Sequence, residues 1–193
     1  FSGGFNLLEI VDYDRAKLAE FFGCFMDAVD RILRLPCPTI VAIHSHALAG
    51  GFILSLAFDL RIVKAGPLKL GLNEVDLGIM IPAGTEALLA ARTSPQTALS
   101  FGMQGKLFSP EEGAAVGYAD ELADDPQARA LELATQLATK PGTGASLTRM
   151  RAGARLAEDV TAIDVAHREA FLDSWHSPEG QACLKAVADR LRR

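Results

Sequence analysis

The spacing of apolar residues divides the first part of the chain into helical and strand-like segments. From residue 14 to residue 34, apolar side chains recur every three or four positions, which predicts an amphipathic helix. Two short apolar runs, "TIVAI" and "LRIV", predict buried strands. Between them, residues 50–57 predict a second helix. A strand, a helix and a strand at this length indicate a βαβ crossover and a parallel sheet.

The later part of the chain is mainly helical in pattern. "GPLKLGLNEVDLGI" predicts strand-like pieces separated by glycines, and "YADEL" predicts a last short strand. Ser94 and Ser109, each followed by proline, are expected to cap helices. The predicted helices cover residues 84–92, 94–104, 109–116, 126–140, 144–157, 160–174 and 178–192. We therefore expect an α/β core over residues 1–123 and a helical C-terminal region over residues 124–193.

Charge and composition exclude several classes of function. The net charge is −5, so no basic face is expected for a nucleic-acid partner. The longest apolar runs are shorter than the ~20 residues of a membrane-spanning helix, so no membrane partner is expected. Cys24, Cys37 and Cys183 are predicted to be buried, reduced thiols of a cytoplasmic protein. His44 and His46 lack a third ligand in matching register, so no metal site is expected.

A stretch of bare backbone follows the first buried strand. In "HSHALAGGFILSLA", Ala47, Ala49, Gly50 and Gly51 leave the main chain almost uncovered before the apolar pattern resumes. The first N–H groups of a helix have no intrahelical acceptor, and small residues let another molecule approach them. This stretch predicts a notch that holds an anion or a polarised oxygen. A tight turn packed on its own sheet is the alternative.

A single carboxylate interrupts a later apolar run. Glu74 lies within "LGLNEVDLGI", while Gly3 in "FSGGF" offers a second bare backbone position. Because an unpaired buried charge costs several kcal/mol, Glu74 must be exposed, paired, or held with a raised pKa for proton transfer. Asp76 shares the face of Glu74 if this segment is a strand, and it is solvated if the segment is irregular.

These stretches together resemble the motifs of the crotonase superfamily, the enoyl-CoA hydratases and isomerases. "FSGGFNL", "SHALAGGF" and "LGLNEVDLGIMIPAG" follow the order of the family's F-x-A-G-A-D-L, G-x-A-x-G-G-G and F-G-x-P-E-x-x-L-G-x-x-P-x-x-G segments. The resemblance implies that the N–H groups of Gly3 and Gly50 hold the thioester oxygen of an acyl-CoA substrate, while Glu74 moves a proton beside it. It assigns substrate contacts to four further residues: Ala49, Gly51, Ile53 and Pro82.

The same resemblance implies a fold and an assembly. We expect an α/β fold, a ClpP/crotonase-like spiral of βαβ units with a helical C-terminal region, assembled as a homotrimer or a dimer of trimers. No cofactor is expected beyond the coenzyme A of the substrate itself. Family members carry a further βαβ section before the stretch that matches "FSGG", so an upstream section is expected. Phe171 and Trp175 are expected in the core or a subunit contact, with a substrate wall as the alternative.

One departure from the family favours isomerisation over hydration. Hydratases of this family use two glutamates to position and split water, and the first of them would stand at Ile53. Pro82 occupies the position where dienoyl-CoA isomerases carry a second acid. With Glu74 as the one remaining acid, migration of a double bond in an enoyl-CoA is the favoured reaction. Hydration, another crotonase-fold reaction, and a non-catalytic CoA-binding role are the alternatives.

Overall fold

The computed structural model describes residues 1–192, and its strands form two three-stranded sheets. The strands are β1 (Ile40–Ile43), β2 (Ala47–Leu48), β3 (Leu60–Lys64), β4 (Leu70–Gly71), β5 (Leu107–Phe108) and β6 (Glu121–Ala123). The helices are α1 (Leu7–Ile10), α2 (Arg15–Leu33), α3 (Gly50–Leu56), α4 (Ala83–Arg92), α5 (Pro95–Gln104), α6 (Pro110–Ala115), α7 (Pro126–Ala138), α8 (Gly142–His176) and α9 (Pro178–Leu191). A 3₁₀ helix spans Glu74–Leu77.

The larger sheet confirms the predicted crossover. Its order is β1-β3-β6, and both strand pairs are parallel. Helix α3 lies between β1 and β3 in the chain, as the apolar pattern predicts. Ile43 of β1 pairs with Val63 of β3, and both side chains are fully buried. Helix α7 packs against β1 and β3, so these strands have no polar alternation because they lie within the core.

The smaller sheet brings the two motif-bearing segments together. Strand β2 pairs in parallel with β4, and β4 pairs in antiparallel with β5. Ser2 forms a parallel bridge to Ala47, which adds the N-terminal segment to this sheet. Parallel strands present their carboxyl ends at the same edge, where ligands of α/β proteins commonly bind. The start of α3 and the Glu74 segment therefore leave the sheet at one edge.

Side-chain caps begin two of the short helices as predicted. The Ser94 hydroxyl accepts a hydrogen bond from the Thr97 N–H at 3.0 Å. The Ser109 hydroxyl accepts one from the Glu112 N–H at 3.2 Å, and the Glu112 carboxylate accepts from the Ser109 N–H in return. Each pair satisfies N–H groups that the helix itself leaves without an acceptor.

The prediction of four C-terminal helices was wrong, because residues 124–192 form three. Residues 144–157 and 160–174 belong to the single 35-residue helix α8. The expected break fell at Glu158 and Asp159, which are polar but do not end a helix as proline or glycine does. Helix α8 packs along α2 and α4. At the α4 contact, a Cβ added to Gly84 would come within 2.8 Å of Asp164 Cβ.

Two smaller expectations were also wrong. Cys24 and Cys37 are exposed and Cys183 is half-buried, because an apolar sequence neighbourhood does not fix which helix face a side chain occupies. In the glycine-separated segment, residues 70 and 71 form a strand and Glu74 begins a 3₁₀ helix.

The division at residue 123 stays a prediction. Among the described residues, no helix has both the length and the apolarity required to cross a bilayer.

Candidate active site

An apolar cavity of about 200 Å³ lies at the edge of the smaller sheet where β2 and β4 end. Gly3, Ala49, Ile53, Glu74 and Pro82, all assigned to the site from the sequence, line it. Among residues 1–192, Glu74 is the one ionisable side chain in the lining. The aromatic lining residues are Phe5, Phe21, Phe22, Phe171 and Trp175. A binding site of this kind orients its ligand with few polar groups in an apolar wall.

The N-terminal segment forms one side of the cavity. The Ser2 N–H donates to the His46 carbonyl, and the Leu48 N–H donates to the Ser2 carbonyl, both at 3.0 Å. These bonds hold residues 2–4 alongside β2. The Gly3 N–H donates to no acceptor among residues 1–192, and a Cβ added to Gly3 would meet no atom within 4 Å. Gly3 therefore presents open main chain to the cavity.

The second bare segment follows β2 directly. The Ala49 N–H donates to the Gly71 carbonyl at 3.0 Å, and α3 then begins at Gly50. The Gly50 N–H is the first of the helix and has no acceptor within the described chain. A Cβ on Gly50 would come within 2.9 Å of the Phe5 ring. A side chain at this position would therefore displace the aromatic wall.

Gly51 allows close packing between two segments, whereas the resemblance implied that it contacts the substrate. It is buried and outside the cavity lining. A Cβ on Gly51 would lie 2.6 Å from the Ser2 carbonyl oxygen and 2.7 Å from Ser2 Cβ. Its missing side chain lets α3 approach the N-terminal segment, and this approach brings Gly3 and Ala49 to the same cavity.

Glu74 supplies the acid of the site. It begins the 3₁₀ helix after β4 and is 7% exposed. Its Oε2 atom is enclosed and has no hydrogen-bond partner among residues 1–192. Burial raises the pKa of Glu74 to about 7, although the N–H groups of Glu74 and Asn73 partly oppose that rise. A carboxyl with such a pKa can both accept and return a proton near neutral pH.

The neighbouring acids lie outside the cavity. Asp76 is exposed and contacts Gly105, since a Cβ added there would approach Asp76 Oδ2 to 3.0 Å. The irregular alternative for this segment is the one the structure shows, and Asp76 is solvated. Glu86 is exposed on the first turn of α4. Asn73 does line the cavity beside Glu74.

The C-terminal helices form a wall that sequence reasoning placed mainly in the core. Phe171 and Trp175 of α8 are buried and also line the cavity, as the wall alternative required. Leu184, Val187 and Leu191 of α9 complete this side. Their helical spacing indicated a buried face. No local signal showed that this face would meet the Glu74 segment.

Two contacts join this wall to the acid. The Ser174 hydroxyl of α8 accepts a hydrogen bond from the Met80 N–H at 3.1 Å. Gly78, which ends the 3₁₀ helix at φ +69°, lies against α9, because an added Cβ would come within 3.3 Å of Gly180 Cα. Helices α8 and α9 therefore hold the chain at the end of the 3₁₀ helix that Glu74 begins.

The described part of the chain contains no cluster of side chains that could bind a metal ion. Among residues 1–192 no group of three His, Cys, Asp or Glu side chains could hold an ion. The His46 Nδ1 atom accepts a hydrogen bond from the Lys69 N–H at 2.9 Å, which accounts for one of the two closely spaced histidines. The cavity therefore offers one buried carboxyl, the main chain of Gly3 and Ala49, and an apolar wall. Gly50 is buried and lies just outside the lining, next to Ala49.

Known proteins share both the sequence pattern and the fold. The family model for enoyl-CoA hydratase/isomerase matches residues 1–182. A peroxisomal enoyl-CoA delta isomerase 2 of Arabidopsis thaliana is 31% identical over 133 residues, which are 66% of this chain and 55% of that protein. An enoyl-CoA isomerase/hydratase of Mycosarcoma maydis is 31% identical over 138 residues, 72% of this chain and 50% of that protein. The chain spans about half the length of these curated relatives.

A solved structure extends the likeness to the whole described fold. The human mitochondrial delta3-delta2-enoyl-CoA isomerase superposes with a TM-score of 0.90 at 26% identity, covering 100% of this chain and 76% of that one. This match confirms the predicted crotonase-like fold with its helical C-terminal region. With the family model matching nearly the full length, the chain belongs to the enoyl-CoA hydratase/isomerase family of the crotonase superfamily.

Proposed function

We propose that the protein moves a double bond in an enoyl-CoA thioester, with Glu74 as the single proton carrier. The observation that carries this proposal is the composition of the cavity. One enclosed carboxyl lines an apolar cavity that the bare main chain of Gly3 and Ala49 also lines. Delta isomerases among the relatives support the same reaction.

The proton balance of the reaction needs one base and one oxyanion site. The Glu74 carboxylate takes a proton from C2 of a 3-enoyl-CoA, and the electrons of that C–H bond pass into a dienolate ending at the thioester oxygen. The Gly3 and Gly50 N–H groups donate to that oxygen, and each such donor typically contributes ~3–4 kcal/mol. The Glu74 carboxyl then returns its proton to C4. The carbonyl re-forms, and the double bond lies between C2 and C3.

Ile53 supports isomerisation over hydration. It is 1% exposed and lines the cavity at the position where the family's hydratases carry a first glutamate. An alkyl group there neither binds nor deprotonates water. Asp76 is exposed and outside the lining, so Glu74 has no second acid beside it there. A nucleophilic water would lack the second carboxylate that orients it.

An assay of the purified chain tests this proposal. 3-Hexenoyl-CoA and 2-hexenoyl-CoA are offered separately, and double-bond migration and water addition are followed in both. We expect migration without hydration. Hydration at a comparable rate would favour the hydratase alternative. Saturable binding of both thioesters without turnover would identify a non-catalytic CoA-binding protein.

We also propose assembly as a homotrimer or a dimer of trimers. Leu147, Met150 and Val165 of α8 are large apolar side chains that are more than two-fifths exposed. A groove with a mainly apolar lining, which includes Ala87 of α4 and Ile163 of α8, also lies on the surface. Such surfaces commonly become subunit contacts. Light scattering should then give three or six times the 20.6 kDa chain mass, and a monomer would contradict assembly. The cytoplasmic location stays a prediction.

A further inference from the structure

Ala49 has a backbone conformation that alanine rarely adopts. Its φ is 46° and its ψ is −123°, and within residues 1–192 it is the one non-glycine residue with positive φ. A residue in such a region costs of order 1–3 kcal/mol and persists only where its surroundings hold it. Two hydrogen bonds do so here. The Ala49 N–H donates to the Gly71 carbonyl, and the Ala49 carbonyl accepts from the Ile53 N–H at 2.9 Å.

The strained residue lies between the two bare segments of the site. Its ψ angle sets the orientation of the peptide that carries the Gly50 N–H. Its methyl group lies beside Gly4, since a Cβ added to Gly4 would come within 3.1 Å of Ala49 Cβ and 3.3 Å of the Gly50 nitrogen. Ala49 itself lines the cavity. The Ala49 methyl group therefore lies beside the chain that follows Gly3, and Ala49 itself is joined by a peptide bond to Gly50.

Glycine at this position would remove both the strain and the contact. Glycine adopts positive φ without a steric cost, and it also reaches a wider range of ψ. The Gly50 peptide would then be held by the two hydrogen bonds alone, with no side chain against Gly4. Strain at a functional site is commonly retained for preorganisation at some cost in stability.

We propose that Ala49 is a positioning residue, whose methyl group fixes the Gly3–Gly4 segment against the Gly50 peptide and so sets the geometry of the oxyanion site. This inference rests on the proposed function. It goes beyond that function because it assigns the alignment of the donors to a side chain. The family's motif has glycine at this position.

The test compares A49G with A57G. Ala57 caps the C-terminal end of the same helix, is fully buried and has ordinary helical φ and ψ of −70° and −22°, so A57G also deletes one methyl group beside α3, without a strained backbone. The probe is hexanoyl-CoA labelled with ¹³C at the thioester carbon. It has the carbonyl but no double bond to move. Infrared difference spectra report how strongly the bound carbonyl is polarised, and thermal unfolding reports stability.

We expect opposite changes in the two readouts for A49G. Its melting temperature should equal or exceed that of the wild type, by roughly 2–4 °C if about 1 kcal/mol of strain is relieved. On binding to A49G, the carbonyl band of the probe should shift less than it does on binding to the wild type. The kcat of A49G for double-bond migration should be about tenfold lower than that of the wild type, and its KM should lie within about twofold. A57G should unfold at a lower temperature and keep the wild-type band. A49S, which retains a Cβ, should also keep the band.

Each remaining outcome overturns the proposal. An A49G band equal to that of the wild type would show that the methyl group does not align the donors. A melting temperature of A49G below that of the wild type would make Ala49 an ordinary packing residue. If wild-type protein binds hexanoyl-CoA without any shift of the carbonyl band, the oxyanion site itself is absent, and the proposed function fails together with this inference.

Discussion

The two sides of the cavity are built in different ways. On the proposed donor side, Gly3 and Ala49 line the cavity with main chain held by hydrogen bonds of the smaller sheet, and Gly50 follows Ala49 just outside the lining. On the acid side, Glu74 contributes a side chain whose surroundings come from α8 and α9, more than 90 residues away in the chain. The donor side depends on close backbone approach, and the acid side depends on apolar burial.

This difference separates the causes of the two chemical properties. Close approach needs only that certain side chains be missing, as at Gly51, and such positions are visible as small residues in the sequence. The raised pKa of Glu74 needs a dry environment, which several distant residues create together. Substitutions on the donor side should therefore alter geometry, while those on the acid side should alter proton affinity and rate.

The largest effect is expected from E74Q. The amide is nearly the same size but cannot take a proton, so kcat for double-bond migration should fall by about 10³-fold. In the wild type, activity should rise with pH to a plateau above about 7, because the ionised form is the base. D76N is the matched control and should remain active, since Asp76 is exposed. Equal losses in both variants would contradict the single-base account.

The pH dependence of stability should show the buried acid directly. The folded-state pKa of Glu74, about 7, lies above the ordinary glutamate value of 4.5, so between these pH values the folded protein holds a proton that the unfolded chain has lost. Stability therefore falls as pH rises through this window, by about 3 kcal/mol in total. E74Q lacks this loss. Urea unfolding should show that the free energy of unfolding of E74Q, relative to that of the wild type, is higher at pH 8 than at pH 5. The same difference at both pH values would contradict the burial argument.

On the donor side, G51A should destabilise the protein by about 2 kcal/mol, the range of overpacked core positions. Its Cβ would meet the Ser2 carbonyl at 2.6 Å and push the N-terminal segment away from α3. G144A is the matched control, because a Cβ there meets nothing within 4 Å and lies in α8. Chemical unfolding should show G144A at or above wild-type stability. A tolerated G51A would mean that close approach is not what holds this side together.

The smallest effect is expected from S174A. Removing the hydroxyl leaves the Met80 N–H without its acceptor, which should cost about 1 kcal/mol. The kcat for migration should fall a few-fold because the end of the Glu74 helix is less well held. S100A removes a solvent-exposed hydroxyl bonded to Gln104 and serves as the control. The same small loss of kcat in both variants would show that the C-terminal wall does not position the acid.

The sequence predicted the parts of the site that depend on local chemistry. Gly3, Gly50 and Glu74 stood out because bare backbone and a lone carboxylate are unusual in apolar surroundings. Ile53 stood out through the resemblance alone. The wall of Phe171 and Trp175 was harder to place, since helical periodicity reports that a face is buried without reporting its partner. Periodicity also predicts two helices where α8 is one, since it does not show that contacts with α2 and α4 continue past the polar pair at residues 158 and 159.

The most direct test of the single-carboxyl account is the fate of the transferred proton. 3-Hexenoyl-CoA carrying deuterium at C2 is converted by the wild-type protein in ordinary water, and the 2-hexenoyl-CoA product is examined by NMR. Because Glu74 is enclosed, the account predicts that part of the deuterium taken from C2 appears at C4 of the product. If the hydrogen that is added at C4 comes entirely from solvent, with no deuterium from C2, the result would contradict transfer by one enclosed carboxyl.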